Sequence, residues 1–184
     1  MNENPRLKEF TDSLIFKLQS AKFHQKAASD RFKIENEDPL LVKGAEFIAM
    51  MSTLHSCLDV FGQWLNEKYS LNLSTKKLYF NTVVNHVKDR ELKNRLKEFS
   101  EKTTYLADFC NTVKHRNIVK ISAVYYFMSP IQPGVIYDIE SFEKDNRKHG
   151  PQSLPKQLNY QYDLVSKEII DITGIDINPK ERTQ

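Results

Sequence analysis

The stretch from Pro39 to Tyr69 carries Leu41, Ala45, Ile48, Met51, Leu54, Leu58, Phe61 and Leu65 at three- and four-residue steps, with more apolar residues between them. A helix of that spacing is apolar over much of its circumference and must be covered from several sides, so it is expected at the centre of a helical bundle. Little in the sequence opposes long helices, since only 5 Gly and 7 Pro are spread over 184 residues.

The remaining elements follow from the same spacing. Pro5 suits a first helical turn, and Leu7, Phe10, Leu14, Leu18, Ala21 and Ala28 then predict a helix from Pro5 to Lys33. Asp38 and Pro39 supply the cap and first turn of the central helix. Ser74 is the expected N-cap of a third helix, Thr75 to Val87, that buries Leu78, Val83, Val84 and Val87. A fourth helix is expected from Asp89 to Arg116, where Leu92, Leu96, Phe99, Leu106, Cys110 and Val113 repeat with only Thr103 polar among them. Beyond it, Ile118 to Phe127 and Val135 to Ile139 are β-branched and aromatic around Pro130 and Pro133-Gly134, which predicts a β-hairpin over about 118–140. Lys144 to Pro155 reads as a loop, and Tyr160, Leu164, Ile169 and Ile170 support a last helix, about 154–173, ended by Gly174. The fold class expected is mainly α: an up-and-down bundle of four to five helices with a small hairpin before the C-terminal helix, in one domain spanning 1–184.

Composition excludes several classes of function. No window has the apolar length of a membrane span, Met1 to Phe10 has no signal-peptide core, and Cys57 and Cys110 lie far apart in helical stretches, so a reducing cytoplasm is expected and the thiols read as core residues. The five histidines, His24, His55, His86, His115 and His149, are at least 29 positions apart, which gives no local metal-ligand spacing. Phosphate-cradling glycine loops, Cys-x-x-Cys, His-Glu-x-x-His and Gly-x-Ser-x-Gly are all missing, and no cofactor is expected. His55 and Asp59, four apart on the central helix, can share a hydrogen bond that tunes the imidazole, or form a polar contact of no further consequence. The net charge is only +3, yet Lys76 to Lys120 holds eleven Lys/Arg against five Asp/Glu, a local +6. Such an excess attracts phosphate backbones, and it equally describes a solvated helix face.

At about 100° per residue, Thr104, Asp108, Asn111 and His115 fall on one side of the fourth helix, away from its apolar stripe, with Lys114 and Arg116 beside them. A hydroxyl, a carboxylate, a carboxamide and an imidazole thus stand in line where the helix ends. A neutral imidazole exchanges protons near neutral pH, and adjacent cations hold a phosphodiester as charge builds on it. That is the chemistry of metal-free RNA cleavage. The same residues also complement the negative end of a helix dipole, a purely structural use.

The run Asp108-Phe109-Cys110-Asn111-Thr112-Val113-Lys114-His115-Arg116, after a heptad-like helix and before a hairpin and one more helix, resembles the terminal-helix motif of the HEPN superfamily. The resemblance covers roughly Leu40 to Thr173. It implies a helical bundle, commonly dimeric, in a superfamily rich in metal-independent ribonucleases of defence, toxin and RNA-processing systems. Asn111 and His115 match the motif's polar and histidine positions, whereas Cys110 stands where the motif has Arg. What the resemblance implies is an RNA-directed protein with His115 and Asn111 catalytic, and Lys114, Arg116, Asp108 and Thr104 binding phosphate or RNA. The expected partners are RNA, a second copy of the chain and an unidentified antitoxin or other protein, with no membrane. The alternative is a catalytically inactive dimerising module that binds RNA or a partner without cutting.

Overall fold

A computed structural model describes residues 4–29, 38–74, 78–115, 119–126 and 134–178, without the side chains at 115, 124–126, 134 and 135. Among the described residues, six helices and five short strands make a mainly α fold, with the expected hairpin between the helices and the C-terminal helix.

Helix α1 (Pro5–Ser29) and helix α2 (Pro39–Lys68) form the most extensive pairing among the described residues. Position 30 onward to Lys33, where the sequence extends the first helix, lies outside the described residues. Asp38 caps α2 as expected: its carboxylate accepts from the Leu40 N–H at 2.9 Å, and Pro39 opens the first turn. Phe47, Met50, Met51, Leu54, Cys57, Phe61 and Leu65 of α2 are completely buried, so this helix is the centre of the core. Its beginning is the exception, since Leu41 is 71% exposed and Ala45 is exposed as well. The apolar spacing there continues past the point where other elements cover it.

Helix α3 (Phe80–His86) is shorter than Thr75–Val87. Tyr79, not Ser74, occupies its N-cap and makes no side-chain capping bond, while 75–77 lie outside the described residues. Leu78, Val83, Val84 and Val87 are nevertheless buried as the spacing required. Gly62 sets how closely α3 can approach α2, because a Cβ there would lie 3.2 Å from the Phe80 Cα.

The expected fourth helix is two helices, α4 (Arg90–Lys102) and α5 (Thr104–His115), broken at Thr103. The buried Thr103 hydroxyl donates to the carbonyls of Phe99 and Ser100 at 3.0 and 3.1 Å, a back-bonding that bends helices. Asp89 caps α4 through the Leu92 N–H at 2.7 Å. Leu96, Phe99, Leu106 and Cys110 are buried and Leu92 and Val113 partly so, so the apolar stripe survives the break.

Strands β1 (Ile121–Tyr126) and β2 (Gly134–Ile139) pair antiparallel, with Ile121 opposite Ile139 and Tyr125 opposite Val135. The proline turn between them lies outside the described residues. The segment read as a loop is in part ordered into strands. A second hairpin joins β3 (Phe142–Lys144) to β4 (Arg147–His149), and β5 (Gln152–Ser153) adds to β2 as the third strand of the first sheet. The second hairpin turns on Asp145 and Asn146, both left-handed with φ of 48° and 65°, the signature of a two-residue type I′ loop. Helix α6 (Leu154–Thr173) runs as predicted and stops at Gly174, whose φ of 70° is the left-handed cap. Tyr160 points out at 51% exposure, whereas Ile169 is buried.

Candidate functional site

Helix α5 carries the polar row, and the break at Thr103 falls just ahead of it, so Thr104, Asp108, Asn111 and Lys114 remain in one register. Helix α5 packs on α2, and its polar row faces the start of α3 across open space. Together with β4 they enclose a cleft of about 620 Å³ lined by His55 and Asp59 of α2, Tyr79 and Phe80 at the start of α3, Thr104, Asp108, Asn111 and Lys114 of α5, and Arg147 of β4. Two sets of residues that the sequence presents separately, the His55/Asp59 pair and the α5 row, therefore share one space.

Four of the six residues singled out on the α5 segment line this cleft. His115 is the last described residue of α5, with its side chain outside the described residues, and Arg116 lies outside them altogether. Lys114 is exposed, and Asn111 is half-buried at the cleft wall. Thr104 donates back to the Ser100 carbonyl at 3.4 Å.

Asp108 differs most from expectation. A helical wheel sets it on the solvent side, yet it is only 3% exposed because the second hairpin covers it. Its carboxylate accepts from Arg147 Nε and Nη2, each at 2.7 Å, and meets His149 Nε2 at 2.9 Å. Burial works to raise the carboxyl pKa, but the hydrogen bonds from Arg147 and His149 outweigh it and hold the group below the usual carboxylate range. An anion so engaged is a poor direct ligand for phosphate; what it does is fix two side chains of the hairpin. Sequence reasoning missed both Arg147 and His149. The available signal was Asp145-Asn146, a pair tolerant of left-handed backbone, between two short polar-aromatic runs.

An aromatic cluster seats the hairpin. Phe142 and His149, opposite one another in the ladder, stack at 4.6 Å, and Phe142 meets Tyr105 and Phe109 edge-on at 5.5 and 5.9 Å. The Tyr105 hydroxyl is buried without a partner among the described residues, and burial pushes its pKa up.

Of the two readings of His55 and Asp59, the structure shows no hydrogen bond between them, and Asp59 acts on the imidazole only as a nearby charge. Burial lowers the His55 pKa; nearby Asp59 opposes this and Lys114 reinforces it. The imidazole facing the cleft is thus neutral at about pH 7. Cys110, at the position of the motif's Arg, is 1% exposed, and burial pushes its thiol up to about 12. It is a packing residue, as is Cys57.

The basic stretch is partly committed to structure. Arg95 pairs with Glu168 and Asp171 of α6 at 2.6 and 3.4 Å, and Lys93 donates to the Asn85 carbonyl at 2.7 Å. Among the described residues no three His, Cys, Asp or Glu side chains gather as a metal site, and no helix is long and apolar enough to cross a membrane.

Residues 47–171 match the family model described as Cthe2314-like HEPN, which covers well over half of the chain and includes every cleft residue named above. No curated protein and no solved structure gives a match.

Proposed function

The chain belongs to the Cthe2314-like HEPN family, and from that premise we propose that it is an RNA-directed protein whose α2/α5 cleft receives a phosphodiester and cleaves it without metal. The observation that supports this best is the meeting of Asn111 and Lys114 with a second imidazole, His55, in an open polar cleft at the end of the helix that His115 terminates.

In this reading the ribose 2′-oxygen bonds to the adjacent phosphorus while the bond to the 5′-oxygen breaks, leaving a 2′,3′-cyclic phosphate and a 5′-hydroxyl. One proton leaves the 2′-hydroxyl and another reaches the 5′-oxygen. His115 serves as acid and base, with its copy in a second subunit of a homodimer providing the complementary role. Asn111 orients the imidazole or the substrate, Lys114 and Arg116 offset the charge gathering on the phosphoryl oxygens, and Thr104 contributes a hydroxyl at the cleft wall.

A second reading has its own support. With Cys110 buried and un-ionised at the motif's Arg position, α5 lacks the cation expected there, and the protein then binds RNA or a protein partner without cutting it. One experiment separates the two. Wild type and His115→Ala are incubated with single-stranded and structured RNA in excess chelator, with cleavage and binding read in parallel. Cleavage by wild type alone supports the nuclease; binding by both with no cleavage supports the second reading; neither binding nor cleavage removes both.

A further inference from the structure

We infer that Arg147, on the second hairpin and outside the α5 motif, grips the RNA phosphate in the cleft, with Asp108 as the positioning residue that aims its guanidinium. This rests on the RNA-directed reading above and adds to it a residue that the motif does not contain.

The geometry divides the guanidinium into two edges. Arg has five N–H donors in a rigid fork, and one edge, Nε with Nη2, is held by the Asp108 carboxylate at 2.7 Å for each bond. No hydrogen bond engages the adjacent edge, Nη1 with the remaining Nη2 hydrogen, among the described residues, and the Asp145 carboxylate acts on the guanidinium only as a nearby charge. Arg147 is 53% exposed in its side chain and lines the same cleft as His55, Asn111 and Lys114. A free Nη1–Nη2 edge matches two phosphate oxygens at once, which an ammonium cannot do.

Asp108 is nearly buried, so the anchor cannot swing, and a third contact from His149 fixes it further. The hairpin itself is fixed, because its turn places Arg147 directly after Asn146 and the Phe142–His149 stack rests against Tyr105 and Phe109. An exposed Arg normally loses rotamer freedom when it takes a ligand; one already held by a bidentate bond loses less. The hairpin therefore delivers a pre-aimed guanidinium to a helix whose own motif lacks one.

The test is RNA binding by the full chain in chelator, read by anisotropy of an end-labelled single-stranded RNA across a salt series. Wild type, Arg147→Gln, Arg147→Lys and Asp108→Asn are compared, each with a melting curve. Arg147→Gln is expected to bind at least about tenfold more weakly and to lower the slope of log K against log salt by about 0.7, the share of one phosphate on a single strand. Arg147→Lys is expected to keep the slope and still bind more weakly than wild type. Asp108→Asn gives the sharpest sign. Removing a negative charge strengthens RNA binding if only the net field matters, whereas loss of positioning weakens it.

A purely structural ion pair would shift the melting temperature and leave the salt slope unchanged. Wild-type affinity and slope in Arg147→Gln, or tighter binding by Asp108→Asn, overturns the inference and leaves the RNA-directed reading standing. No RNA binding by wild type overturns that reading and the inference with it. Should Arg147→Gln fail to fold, Arg147→Lys carries the test, and binding equal to wild type then overturns the claim that the fork is required.

Discussion

Asp108 and His55 are the two side chains whose protonation the fold alters most informatively near the cleft, and both make the protein sensitive to acid. The His55 pKa is lowered by folding, so between that lowered value and about 6.5 the unfolded chain binds more protons than the folded one. Stability from this group is complete above about 6.5 and declines as pH falls below it. The Asp108 pKa is also lowered, so its contribution is present above about 3.9 and is lost as pH falls through the folded value. Melting temperatures measured from about pH 8 to 5 should therefore fall on the acid side, and His55→Gln should flatten that part of the curve. Asp108→Ala should lower the unfolding free energy by about 2 kcal/mol in a urea titration, allowing for the solvent that reaches Arg147. Asp108 also marks what a wheel diagram cannot supply: its place on α5 is local, but its burial is imposed by a hairpin 39 residues further along.

At the scale of elements, α2 and α3 approach closely because Gly62 has no side chain. In Gly62→Ala the new methyl would meet the Phe80 backbone at 3.2 Å, and backbone cannot turn aside as a flexible side chain can. Overpacking costs about 1–3 kcal/mol and alanine returns roughly 1 kcal/mol of helix propensity, so a net loss near 1 kcal/mol is expected in denaturant unfolding. The long elements were legible because three- and four-residue spacing is a property of the segment itself. Thus α1, α2 and α6, the Asp38 cap, the Gly174 stop and the β1–β2 pairing follow from the residues alone. The break at Thr103 was not legible, because a threonine inside an apolar stripe gives no warning until its hydroxyl turns back onto the Phe99 and Ser100 carbonyls. The second hairpin was missed because strands of three residues are too short for alternation to show and its turn is Asp-Asn, without glycine. One wall of the cleft, Asn111 and Lys114, was therefore readable in advance. His55 stood out beside Asp59 on the central helix, but its place opposite the α5 row, like the whole contribution of Arg147, follows only from contacts distant in sequence.

For the whole molecule, α2 is buried on several sides and presents His55 to a cleft whose opposite wall is α5 and whose rim is β4. If two copies pair so that each His115 serves a shared site, light scattering should give twice the 21.5 kDa chain mass, and a monomer at working concentration would remove the two-copy mechanism. The central claim, that the α2/α5 cleft is where RNA sits, is tested most directly by photo-crosslinking a bound single-stranded RNA and mapping the attached peptides. Attachment should concentrate on peptides spanning 104–115 and on the hairpin containing Arg147. Crosslinks confined to α1 or the far face of α6, with the cleft peptides unmodified, would contradict it.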